Sequence, residues 1–197
     1  MHKLLATKLS LLFSPFTLFP LVAVVAIFRT PMPVQEQYGW IAAIILLNLM
    51  SSLIILGEME RYGIKLDDTL ENLAVKRTRL IGFAPIMLIL LTEIAMAGAR
   101  GGYQPLFAVL TSSAVVALII GIISFFWKIS LHMVGASATI TYLTLLLGPV
   151  ALAGLPLIPA LAWSRLVLKR HTPSQLFFGT VLPPLCIAAV FWYFRII

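Results

Sequence analysis

An all-α, polytopic membrane bundle is the fold class that this sequence predicts, and three observations predict it. The chain is 61% hydrophobic and only 11% charged, where a soluble domain carries about 25% charged residues. Its apolar residues gather into runs long enough to cross a bilayer, which takes roughly 20 residues. Its 197 residues leave little room for a soluble domain beside those runs. Apolar surface on this scale cannot be hidden from water, so the solvent must be largely lipid. We therefore read residues 1–197 as a single integral membrane domain with six or seven hydrophobic segments.

Taken in order, the first segment is 10–28, which Pro15 and Pro20 should bend or shorten. Its basic approach resembles a signal peptide, but no small-x-small site precedes a polar region, so we expect a retained span. Segments 39–56, 80–98 and 105–127 follow, the second carrying Glu93 inside it. Glu93 is a functional candidate by default, and its place toward the far end of the segment predicts snorkelling to water. Residues 133–163 are too long for one ordinary span and short for two. Gly148-Pro149 reads as a turn that divides them into 133–147 and 150–163. The last segment, 175–193, should be broken by Pro183-Pro184. Trp40, Trp127, Trp163 and Trp192 fall near segment ends, as interfacial anchors do.

The one sizeable polar stretch is 57–79. Leu66, Leu70 and Leu73 recur there at helical spacing among charges, predicting an amphipathic helix on the membrane surface. The single cysteine, Cys186, makes neither an internal disulfide nor a metal site. The net charge of +7 suits cytoplasmic loops and anionic headgroups. Scattered basic residues with no soluble module to display them argue against nucleic acid.

Parity then restricts where the polar breaks can lie. Two segments separate Arg79 from Lys128, and two more separate His132 from Ser164. The cluster Lys76-Arg77-Arg79, the break 128–132 and the break 164–175 therefore face one side, together with the N-terminus. That side carries Lys3, Lys8, Arg61 and Lys65 as well, whereas the other carries Arg29, Arg100 and Arg195. The positive-inside rule puts the site side in the cytoplasm of a bacterial-type inner (plasma) membrane.

Two histidines occupy those breaks, each near a serine and basic residues: Ser130-Leu131-His132, and Ser164-Arg165 followed by His171 and Gln175. Phosphate-ester hydrolysis needs cations for the phosphoryl oxygens, a nucleophile, and an acid for the leaving group. Arg supplies a planar fork for the oxygens, and histidine suits both other roles because it titrates near neutrality. Each histidine taken alone is more often a helix-packing hydrogen bonder, and Arg77 and Arg79 could equally be ordinary flanking charge.

Together these phrases resemble the type 2 phosphatidic acid phosphatase superfamily, whose motifs are a basic first motif, then PSGH, then SRxxxxxHxxxD. Ile129-Ser130-Leu131-His132 stands where PSGH would be. The stretch from Ser164-Arg165 through His171 to Gln175 matches the third motif except at its last position. Lys76-Arg77-Thr78-Arg79 stands where the first motif belongs, without its Arg-Pro pair. The resemblance covers about 76–179. It implies that His171 is the nucleophile, forming a phosphohistidine, and that His132 protonates the leaving group. Arg165, Lys128, Arg77 and Arg79 would clamp the phosphoryl group, with Ser130 and Ser164 donating hydrogen bonds. Gln175 takes the place of the acid that orients the nucleophile. The resemblance implies no metal and no cofactor. Its substrate would be a lipid phosphate or prenyl diphosphate entering from the bilayer. The alternative is a catalytically impaired relative serving as a subunit or assembly factor among membrane-protein partners.

Overall fold

The computed structural model describes residues 2–61 and 73–196, with side chains excepted at 16, 59 and 73–82. The chain is an all-α bundle of membrane type. Its helices are α1 (His2–Leu12), α2 (Pro15–Arg29), α3 (Val34–Arg61), α4 (Leu73–Ala99), α5 (Leu106–Phe126) and α6 (Leu131–Leu147). A 3-10 turn (Pro149–Gly154), α7 (Leu157–Val167) and α8 (Pro173–Tyr193) complete it. Among the described residues, five stretches are long and apolar enough to cross a membrane, and 83–99 and 131–147 are shorter apolar helices.

The first expected span divides in two. Phe13-Ser14 separates α1 from α2, and Pro15 opens α2 at a position where its missing N–H costs nothing. Pro20 is accommodated inside α2. The middle of the expected surface helix over 57–79, residues 62–72, lies outside the described residues. Its flanks are not separate from the spans, since 57–61 extends α3 and Leu73 begins α4.

α4 and α5 run antiparallel. A Cβ on Gly121 would touch Phe83, and one on Gly98 would touch Phe107. This returns the chain to its starting side. α6 then leaves that side and ends at Gly148, whose φ of +87° suits glycine. The 3-10 turn and α7 bring the chain back. About 26 Å of α-helix going out is matched by about 12 Å of 3-10 and 16 Å of α-helix returning. Gly154 lies against Ile140 on that return, its Cβ position 3.3 Å from the side chain.

Pro183-Pro184 does not break α8. A proline cannot bond the carbonyl four residues earlier, which here is Gly179. Ser137 Oγ on α6 lies 3.3 Å from that carbonyl and shares its one proton between it and the Val134 carbonyl, also at 3.3 Å. A neighbouring hydroxyl thus offers the orphaned group a shared donor, the kind of compensation that lets proline persist in a membrane helix.

The main core runs the length of the bundle, from Ile27, Leu110, Ile187 and Phe191 to Ile129 in the loop before α6. A second, smaller core lies under the site: Leu18, Met133, Ala136, Leu161 and Leu176. Large apolar side chains such as Leu88 and Leu185 face outward at 67% and 62% exposure, as lipid-facing positions do.

Two side chains differ from expectation. Glu93 does not snorkel: it is fully buried, and neither carboxylate oxygen meets a hydrogen-bond partner among the described residues. Helices on either side enclose it before its stem can reach water. Trp40, near the start of α3, is buried against neighbouring protein rather than turned outward, with the Arg100 guanidinium 5.7 Å from its ring centre.

α6 and α8 approach closely at Gly179. A Cβ there would stand 2.9 Å from the Ser130 carbonyl oxygen and 3.1 Å from Met133 Cβ. Because the first of these is backbone, it cannot swing aside. Gly179→Ala is expected to destabilise the protein by about 1–3 kcal/mol, read as a lower Tm in detergent. It also pushes the 128–132 loop away from α8.

Candidate functional site

At one end of the bundle the loop before α6, the end of α7 and the start of α8 converge, and α1 lies against them. α7 stops in a Schellman arrangement. The Arg170 N–H bonds to the Arg165 carbonyl (3.0 Å) and the Lys169 N–H to the Leu166 carbonyl (2.9 Å). Lys169 takes the left-handed position, φ +53°, usually held by glycine. This sharp reversal turns the chain back so that His171 stands beside Arg165.

Thr172 then caps α8. The Gln175 N–H bonds to Thr172 Oγ1, and the Thr172 N–H bonds to Gln175 Oε1 at 3.1 Å. This reciprocal cap identifies Oε1 as the acceptor atom of the Gln175 amide. His171 Nδ1 lies 3.2 Å from the same Oε1, so Nδ1 carries the proton and donates. In the neutral ring the lone pair is therefore on Nε2, the tautomer that nucleophilic or base chemistry at Nε2 needs. Burial lowers the His171 pKa from 6.5 to about 3, helped by the Arg165 and Lys128 charges and opposed by the Gln175 hydrogen bond. His132 also acts on it in the lowering direction. Arg165, Lys128 and His132 are thus close enough for their charge to be felt at this imidazole.

A depressed histidine has a signed consequence. The folded chain refuses a proton that the unfolded chain accepts between pH 6.5 and 3. The stability it contributes is whole above about pH 6.5 and is lost as pH falls toward 3. Thermal melts in detergent between pH 7 and 4 should show Tm dropping with acid, with a shallower slope in His171→Gln. Added phosphate should flatten the slope, because an anion favours the imidazolium.

The remaining candidates meet on α1. Arg165 Nη1 donates to Ser10 Oγ at 3.1 Å, the Ser10 and Ser164 hydroxyls are 2.8 Å apart, and Ser164 Oγ donates to the Ala6 carbonyl at 2.7 Å. Since the one Ser164 proton goes to Ala6, Ser10 donates to Ser164. The donors run in one direction from Arg165 to Ala6. His132 Nε2 donates to the Ser10 carbonyl at 3.1 Å. That oxygen is in the last turn of α1, where helix carbonyls lack partners. His132 thus carries its proton on Nε2.

Ser130 holds its loop to α8 through its N–H on the Gln175 carbonyl, 3.4 Å. Its hydroxyl is fully buried with no hydrogen-bond partner among the described residues. Lys128 is half-buried. Arg77 and Arg79 lie in the first turns of α4, and their side chains are outside the described ones. Among the described residues, no three His, Cys, Asp or Glu side chains gather.

Ser10 is the residue that sequence reasoning missed, having been read only as the first residue of a span. A signal existed. Ala6 and Ser10 are small residues four apart on one helix face, a spacing that lets helices approach closely, and they are the buried residues of α1. Comparison with known proteins brings no relative: no family model matches the chain, nor does any curated protein or solved structure.

Proposed function

We propose that this protein is a metal-independent membrane phosphatase acting on a lipid phosphate or prenyl diphosphate through a phosphohistidine. The observation that carries this reading is the state of His171, a neutral ring with Nδ1–H held by Gln175 and close to the charges of Arg165 and Lys128. The Nε2 lone pair attacks phosphorus while the bond to the leaving oxygen breaks. Arg165 and Lys128 balance the negative charge on the phosphoryl oxygens, with Arg77, Arg79, Ser130 and Ser164 as further ligands. His132, protonated when the anion binds, gives its proton to the leaving oxygen. It then takes a proton from the water that cleaves the phosphorus–nitrogen bond, so phosphate leaves and both imidazoles are restored. The basic residues on the site side support a site at the cytoplasmic face of an inner (plasma) membrane.

The test is phosphate release from phosphatidate or a prenyl diphosphate in detergent with EDTA present. Gln175→Glu keeps the reach and the cap, since both residues serve at that position, and adds a negative charge beside Nδ1–H. It should raise the His171 pKa and raise the rate at least several-fold, with about 10⁴ as the ceiling that an orienting acid supplies elsewhere. No phosphate release from the parent chain and from Gln175→Glu would sink the hydrolase.

One observation favours the second reading, a phosphatase-like subunit or assembly factor. The donors that would hold substrate, Arg165 Nη1 and His132 Nε2–H, are engaged in holding α1. Stable co-purification of other membrane proteins, with no release in the assay above, would select it.

A further inference from the structure

We propose that α1 is a displaceable latch: Ser10 and Ala6 present to Arg165, Ser164 and His132 the acceptor oxygens that a phosphoryl group would otherwise present, so anion binding releases the helix. This deepens the phosphate-site reading and rests on it. Three donors of the site end on three oxygens of one short helix. They are Arg165 on Ser10 Oγ, Ser164 on the Ala6 carbonyl, and His132 on the Ser10 carbonyl. Those oxygens carry no net charge. Phosphoryl oxygens do, and hydrogen bonds to a charged acceptor are roughly twice as strong. Ligand and helix therefore compete for the same donors, and the ligand has the stronger acceptors.

The helix is built to leave. Ala6 and Ser10 are the buried residues of α1 and Leu9 is half-buried against the second core, while Leu4, Leu5, Leu11 and Leu12 are exposed. α2 is anchored independently: a Cβ on Gly135 would stand 3.2 Å from Pro15 Cα, and Leu18 packs with Met133, Ala136 and Leu161. The break at Ser14 can therefore act as the hinge while α2 stays in place, with Phe13 half-buried against the second core on the α1 side of it. Lys3 and Lys8 beside the four exposed leucines give the freed helix a place among lipid headgroups.

The experiment uses the full chain in phosphatidylcholine nanodiscs in a Cys186→Ser background. The 2.8 Å between the Ser10 and Ser164 hydroxyls suits a disulfide in Ser10→Cys/Ser164→Cys. Oxidation clamps α1, and the reduced form of the same variant is the control. Inorganic phosphate is titrated in one arm, and phosphatidate is doped into the bilayer in the other. We expect the clamped form to bind at least about tenfold more weakly than the reduced form, and Ser10→Ala to bind several-fold more tightly than the parent. In a separate pair, spin labels at Thr7→Cys and Phe177→Cys should move apart when ligand is added. Movement in both arms identifies the phosphoryl group alone as the trigger, and movement with phosphatidate only identifies the lipid phosphate. Equal affinity in the clamped and reduced forms, no binding in either arm, or a label distance unmoved by ligand overturns the latch. Binding and movement without hydrolysis leave the latch standing and remove only the phosphatase.

Discussion

His171→Ala is expected to reduce phosphate release by about 10³-fold or more, the scale on which removal of a nucleophile or its base acts in hydrolases. His171 precedes the cap of α8 and does not form part of it. Thr172 and Gln175 keep their reciprocal bonds without it, so the variant should fold and melt close to the parent. The loss should fall on kcat, because the imidazole bonds to phosphorus rather than merely holding it. Two measurements separate this from a local structural defect. Added imidazole should restore part of the rate in His171→Ala. Quenching the parent in alkaline SDS during turnover with ³²P-labelled substrate should trap a base-stable, acid-labile phosphoprotein that the variant lacks. A variant that retains most of its rate would end the assignment of His171 as nucleophile.

Arg165→Ala carries the second large effect, about 10²–10³-fold in rate, as for removal of a preorganised charge-stabilising donor. It differs from His171→Ala in also removing a bond to Ser10. A hydrogen bond from a charged donor is worth about 1.5–3 kcal/mol, so Tm should fall as well. Arg165→Lys should recover little of the rate, because an ammonium keeps the charge but loses the planar fork. If Arg165→Lys matched the parent, Arg165 would be supplying charge alone. If Arg165→Ala lowered Tm and left the rate untouched, it would be a clasp for α1 and nothing more.

The bundle was legible because lipid imposes a length rule. A run of about 20 apolar residues can do little else, and Gly148-Pro149 marked the reversal after α6. Parity was legible for the same reason, since each crossing changes sides. The cap on α8 was written locally, with Thr172, Pro173 and Gln175 at the spacing that closes it. What could not be read were features that depend on a neighbour. Pro183 looked like a break because the sequence does not say that Ser137 reaches the Gly179 carbonyl. Glu93 looked free to snorkel because its enclosure by other helices is invisible along the chain. The division at Phe13-Ser14 was hidden within a hydrophobic run that continues across it.

From its amino acids alone this protein was committed to apolar helices of membrane type, with histidines, serines and cations falling in the polar breaks between them. Composition and spacing suffice there, because the solvent and the crossing length act on each segment separately. Which partners those polar groups take was settled only by packing. Ser10 lies 122 residues from His132 and 155 from Arg165, and nothing local specifies that pairing. It follows from two small residues, Ala6 and Ser10, letting α1 approach α7 closely enough for hydroxyl and carbonyl oxygens to reach across.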